Sequence, residues 1–404
     1  MKLHQRTALA LAIAGALAVG TAQAQISDNV IKIGVLSDMS SLYTDLAGAG
    51  SVLAAQMAVE DSGIEKRGYK VEIVSADHQN KPDVGSGIAR RWYDQEKVDV
   101  IVDVPNSGVA LAVSGVTKEK GKAFLASGPG TSDLTGAQCS PNTIHWTYDT
   151  WMLANGTGTA MTKAGGDSWF FITADYAFGQ ALERDTTAAV QKAGGKVLGD
   201  VRVPLNNQDF SSFLLQAQSS KAKVIGLANA GGDTTNSIKQ AAEFGIVKGG
   251  QSLAGLLVFI TDVHSLGLNT AQGLILTETF YWDQNEQSRA FSNRFAPRDK
   301  GIHPTMVHAG VYASLLHYFK AVEALKSDDG TKVIAKMKEM PTDDPLFGKG
   351  TIRVDGRKIH PAYLFEVKKP GESKGEWDYY KLRATIPADQ AFRPLSAGGC
   401  SLVK

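Results

Sequence analysis

The residues of this chain best suited to chemistry are small, polar and placed just after short apolar runs. In "VIVDVPNSGVALAV" (100–113), an unbroken strand-like run stops at Asn106, Ser107 and Gly108, and an apolar-periodic segment begins. "LSDMSSLYTD" (36–45), "ASGPGTSD" (126–133), "TADYAFG" (173–179), "ANAGGDTTN" (228–236) and "ITDVHSLG" (260–267) repeat the arrangement. Free amides at a helix N-terminus attract anions such as carboxylates, and glycine lets a ligand approach the backbone. Any one of these loops could be only a turn or a helix cap. Six of them, spread along the chain, argue for a shared ligand cleft. Catalytic patterns are missing: there is no G-x-S-x-G, no H-E-x-x-H and no phosphate-binding P-loop. "GAGSVL" (48–53) starts like a dinucleotide fingerprint, but Leu53 stands where the third glycine belongs. His303, His308 and His317 match no standard zinc spacing, so neither metal nor cofactor is expected. A hydrolase built on Ser107 or Ser127 would need a base, and only His264 lies in a comparable loop. Binding, not catalysis, is the expectation.

The elements that must hold these loops alternate regularly. Strand-like runs at 30–38, 70–77, 100–104 and 122–128 are separated by amphipathic helical segments at 50–62, 83–96 and 109–121. Such alternation implies parallel βαβ units, whose ligands bind outside the carboxyl ends of the strands. The pattern restarts near Thr150: helix 150–166, then strands at 168–175, 196–205, 223–231, 253–262 and 273–280 with helices between the first four. After 281–287 the chain is helical again through 309–325 and 332–340, and it ends in strand-like pieces at 350–356, 362–369 and 377–384. This predicts two doubly wound α/β lobes in tandem. The first takes 26–148 plus 283–350. The second takes 149–282 plus 351–404, including a polar tail. On this reading Asp262 leaves the sheet at the end of the strand "LLVFIT".

The chain has 404 residues, enough for two domains, with 43% hydrophobic and 21% charged residues and a formal charge of +1. That balance gives no electrostatic reason to expect nucleic acid. The N-terminus is a separate object: Lys2 and Arg6 precede the apolar run "TALALAIAGALAVG", and "AQA" (22–24) fits a small-x-small cleavage rule. The run is too short for a typical spanning helix. A signal peptide cleaved after Ala24 is expected in preference to a membrane anchor, giving an exported, periplasmic protein. Removing Lys2 and Arg6 leaves 40 basic against 41 acidic residues, a charge of −1. The chain holds two cysteines, Cys139 and Cys400. In an oxidising compartment they are expected to form one disulfide, with two free buried thiols as the alternative. Loop-entropy models give so long a closure roughly 4–5 kcal/mol.

Together, the leader, "IKIGVLSDMS", "VDVIVDVPNSGVALAVS", "ASGPGTSDLTG", "DYAFG" and "GLANAGGDTTNSIKQAAEFG" resemble the periplasmic solute-binding proteins of ABC importers, branched-chain amino acid type. The resemblance covers essentially the whole mature chain. It implies two lobes joined by three crossovers, a type I periplasmic binding (Venus-flytrap) fold closing over one small ligand. It also implies an inner-membrane ABC permease as partner, with the binding protein a monomer. It places Ser107 and the groups around Ser127, Gly128, Gly130 and Thr131 at a ligand carboxylate. It matches Tyr176 to an aromatic of the second lobe, and Asp262 to the acidic residue that holds a ligand amine. The chain departs from the amino-acid pattern at Ala230, small where leucine-binding relatives carry tyrosine, and at Ala177 and Phe178, inserted before the glycine. Tyr43, Tyr148, Phe178, Phe280 and Trp282 are further candidate cleft aromatics. These departures leave room for an aromatic carboxylate, in which case Asp262 should point away from the ligand. A sensor module reporting occupancy to a receptor is the alternative to a transport component, and fold alone does not separate the two.

Overall fold

The computed structural model describes residues 26–404, so the expected leader and its cleavage site lie outside the described residues. The apolar runs of the first third become β1 (Val30–Ser37), β2 (Lys70–Asp77), β3 (Val100–Asp103), β4 (Ala123–Ala126) and β5 (Thr143–His145). They form one parallel sheet in the order β2-β1-β3-β4-β5. β3 and β4 are buried at every residue, as strands covered by helices on both faces must be. β6 (Ser168–Ala174), β7 (Lys196–Val203), β8 (Val224–Ala228) and β9 (Ser252–Gly255) repeat the design in the order β7-β6-β8-β9, again parallel. Each lobe is thus doubly wound, with its strand order reversing beside its first strand.

Three short passages carry the chain between lobes: after β5 into the helix Thr150–Leu153, after β10 (Ile275–Glu278) into the helix Glu286–Phe295, and near residue 360. The first is fixed by Asp149, whose Oδ1 accepts from the Met152 amide at 2.8 Å and starts the helix. The third needs a correction to the expected boundary. Residue 350 falls inside β12 (Gly348–Ile352), which pairs with β11 (Thr342–Asp344) and β13 (Lys358–Ile359). An isolated bridge from Arg357 to His145 ties this small sheet to the first lobe. Only β14 (Ala362–Val367) and β15 (Tyr380–Ile386) join the second lobe, extending β10 in an antiparallel sheet.

Two other departures concern apolar runs. β5 has no counterpart in the expected strands, being three residues long. The expected strand 253–262 stops at Gly255, and the helix Ile260–Leu266 follows after a loop. Leu256, Leu257 and Phe259 are buried in that loop, so burial without a strand produced the same apolar signature. Asp262 is therefore the third residue of a helix. Cys139 and Cys400 are joined, with Cα atoms 5.6 Å apart. Among the described residues no helix is long and apolar enough to cross a membrane.

Candidate functional site

The carboxyl ends of both parallel sheets point at one space. Tyr43 follows β1, Pro105 follows β3 and Tyr148 follows β5. Tyr176 and Phe178 follow β6, Ala230 follows β8, and Leu257 and Phe259 follow β9. Together with Leu46 these residues line a narrow space of about 10 Å³ between the lobes. The lobes touch across it through the hydroxyls of Tyr43 and Tyr176, which hydrogen-bond to each other. Tyr148 donates its hydroxyl to the Gly128 carbonyl at 2.5 Å and meets Phe259 edge-on, with ring centres 6.1 Å apart. Burial keeps the phenols of Tyr43 and Tyr148 protonated far above their usual range, so both remain donors. Gly130 lets the rings close in: a Cβ there would stand 2.6 Å from Phe178 and 3.1 Å from Tyr148. Asp38 shapes the loop carrying Tyr43, accepting from the Tyr43 amide at 2.8 Å and the Ser41 amide at 2.9 Å.

Of the 100–113 stretch, Pro105 lines the cavity, and the residues after it start a helix behind it. Asn106 is the cap of the helix Ser107–Lys120, its Oδ1 accepting from the Val109 amide at 3.1 Å. Ser107 is the first helical residue, and its Oγ accepts from the Thr131 amide at 3.1 Å. Thr131 in turn caps the short turn Ser132–Thr135. The Nδ2 of Asn106 and the Oγ of Ser127 are buried without a hydrogen-bond partner. The turn before the cap is strained: Asp103 and Val104 sit at φ of 77° and 60°, and a β-branched residue in the left-handed region costs about 1–3 kcal/mol. Such strain concentrates at functional sites.

The remaining candidates lie elsewhere. Asp262 accepts from the Phe259 amide at 2.8 Å, the capping contact of its own helix. It lines a polar mouth beside the cavity, a space of about 440 Å³ shared with Ser40, Asp45, Asn206 and Thr235. Burial pushes its carboxyl up to about 7. Phe280 is a correction to the expected cleft aromatics: it packs edge-on against Phe291 in the core, with ring centres 6.3 Å apart. Trp282 sits 4.2 Å from His303 and donates its Nε1 to the Trp377 carbonyl at 2.9 Å. His264 stacks on Trp377 with ring centres 4.0 Å apart and shares a hydrogen bond with Tyr379. Leu46, Pro105, Leu257 and Phe259 were not foreseen. Apolar side chains carry no sequence mark that separates a cavity wall from a core. A wider hollow of about 650 Å³, lined by Val224, Ser252 and Leu274, lies where β8 and β9 begin, away from the strand ends that converge on the cleft.

Residues 30–375 match the sequence profile of periplasmic binding proteins. The chain belongs to that family. A periplasmic binding protein from Burkholderia mallei is 51% identical, with a TM-score of 0.91 over 93% of this chain and 100% of that one. A branched chain amino acid ABC transporter periplasmic ligand-binding protein from Burkholderia xenovorans LB400 is 40% identical, with a TM-score of 0.82 over 93% of this chain and 100% of that one. An ABC transporter solute-binding protein from R. palustris, solved in complex with benzoate, shares the fold at 23% identity and a TM-score of 0.80, over 92% of this chain and 99% of that one. The two α/β lobes are thus those of a type I periplasmic binding protein.

Proposed function

We propose that this chain is the periplasmic ligand-binding component of an ABC importer and that it closes its lobes over an aromatic carboxylate. One observation carries the ligand class: the cavity wall combines five aromatic rings with four apolar residues and holds no charged side chain. An amino-acid ammonium taken out of water needs a fixed anion beside it. Asp262, the residue expected to supply one, has an oxygen engaged by its own helix. A flat ring suits the faces of Tyr148, Tyr176, Phe178 and Phe259. Its carboxylate would lie toward Ser107, Thr131 and the Gly128–Gly130 loop, where the Ser107 hydroxyl hydrogen is left to donate. The benzoate complex of the R. palustris relative is consistent with this class, whereas the name of the B. xenovorans relative points to amino acids. Export behind a leader ending at Ala24 and action as a monomer beside an inner-membrane permease complete the reading.

Calorimetric titration of the purified protein with benzoate, 4-hydroxybenzoate, phenylalanine and leucine tests it. The aromatic acids should bind, leucine should not, and Asp262→Asn should leave the aromatic-acid affinity within about threefold, since the amide oxygen can still cap the helix. Tight leucine binding that Asp262→Asn abolishes would overturn the proposal in favour of an amino-acid transporter.

A further inference from the structure

Asp103 ends β3 directly before the Val104–Pro105 turn, and it is fully buried. Its two oxygens are treated differently. Ser37 Oγ accepts from the Gly48 amide at 3.0 Å, so its own hydrogen goes to Asp103 Oδ2 at 2.7 Å. Oδ1 has no partner. It looks onto Gly128, where a Cβ would stand 2.5 Å from Oδ1 and 2.7 Å from the Cα of Pro105, a residue of the cavity wall. The orphaned oxygen therefore lies just behind the Pro105–Gly128 face of the ligand floor. A buried carboxylate oxygen with no donor is costly, whereas a protonated one is itself a donor and leaves the floor neutral.

We propose that Asp103 carries a proton on Oδ1 in the ligand-free protein, so that the floor admits an anionic ligand, and that the ionised form repels it. This rests on the reading that a carboxylate binds near Ser107 and Thr131. The surroundings favour the neutral form. Burial raises the Asp103 carboxyl to about 7, against the Ser37 and Ser51 hydroxyls, which lower it, and the like charge of Asp38, after β1, adds to the rise. Tyr148, in the first crossover, stays a phenol. The helix Met306–Leu325, packed on Gly48–Ser62, brings His308, whose Nε2 is spent on the Ala47 carbonyl and which burial keeps neutral. None of these groups supplies a cation to hold Asp103 ionised. Asp103 is on this account a specificity-determining residue: it makes acid uptake favour mildly acidic conditions.

Two measurements decide it. Carboxyl ¹³C NMR of the ligand-free protein, with Asp103→Asn to identify the resonance, should give Asp103 a midpoint near pH 7. Benzoate stays anionic between pH 6 and 8, and its affinity by calorimetry should fall about tenfold across that range, because one proton must remain on the protein. Asp103→Asn, neutral at every pH, should hold its affinity within about twofold over the same range. Ionisation of Asp103 below pH 5 overturns the proposal, as does a wild-type affinity that is flat, or a variant that falls with pH as the wild type does. The NMR and wild-type arms stand even if the variant does not fold. Should leucine bind in place of aromatic acids, the ligand reading fails by itself and the pH comparison is read with leucine. A protein that takes neither overturns both.

Discussion

The Ser107 hydroxyl accepts the Thr131 amide at 3.1 Å, which leaves its own hydrogen to donate. One side chain thus anchors the Gly128–Thr131 loop and, on the proposed function, would offer a hydrogen bond to a ligand anion. Hydrogen bonds to charged groups contribute about 1.5–3 kcal/mol, so Ser107→Ala should weaken carboxylate binding by that amount in calorimetry. Unchanged affinity would reduce Ser107 to a loop anchor. Neighbouring Asn106 already caps the helix, so the substitution should leave helix stability nearly intact. At this scale the sequence named Tyr43, Tyr148, Tyr176, Phe178 and Ala230, which line the cavity because each follows a strand end, but not Leu257 and Phe259, buried in a loop that reads as a strand.

At the scale of elements, the return of the chain to the second lobe is held by two buried cations on β13 and the residue before it. Arg357 lies 3.6 Å from Asp149, donates to the Tyr148 carbonyl at 3.1 Å and sits 4.4 Å over the Phe392 ring. Lys358 lies 3.8 Å from Asp344, above the rings of Trp146 and Phe347. Arg357 therefore fixes the crossover that carries Tyr148, while Lys358 packs the strand against the first. Burial lowers the Lys358 ammonium to about 8. Removing one partner of a buried pair leaves the other uncompensated, so Lys358→Met should cost about 3 kcal/mol in urea unfolding. Adding Asp344→Asn should recover most of the loss. A double variant no more stable than the single one would mean the ammonium acts through its ring contacts.

At the scale of the molecule, the lobes are closed. Gly232 donates its amide to the Leu42 carbonyl at 3.4 Å across the cleft. Gly231, at φ 57° and ψ −131°, has no room for a side chain: a Cβ would stand 2.5 Å from that carbonyl. Gly231→Ala should hold the lobes apart, lowering ligand affinity about tenfold, equivalent to about 1.4 kcal/mol. It should also raise the radius of gyration of the ligand-soaked protein in X-ray scattering; an unchanged radius would refute the role of this contact. The disulfide acts at the same scale, tying the tail back to Cys139 while Arg393 donates to the Ser132 carbonyl at 3.0 Å. Cys400→Ser should lower stability in urea by up to about 5–6 kcal/mol on the loop-entropy account of so long a closure. Free thiols in protein purified from the periplasm would show that the bridge does not form there.

The sequence by itself determined what depends on local repetition. Alternating apolar runs and amphipathic segments dictate βαβ units, and the restart near Thr150 dictates a second lobe, because each pattern reports the burial of its own strand or helix. Polar residues at strand ends announced the loops that meet in the cleft, since a chain leaving a parallel sheet must turn there. Tertiary structure decided what depends on partners distant in the chain. "LLVFIT" is apolar whether it is a strand or a buried loop, and only the end of β9 at Gly255 and the capping contact of Asp262 choose between them. Phe280 and Phe178 are equally apolar in sequence. One packs on Phe291 and the other lines the cavity, because the helix Glu286–Phe295 covers the first and the opposing lobe faces the second. The orphaned oxygen of Asp103 is visible only once β1, the helix Gly48–Ser62 and Gly128 surround it. A carboxylate in a sequence is an exposed anion by default, and only folding removes the water that would have kept it so.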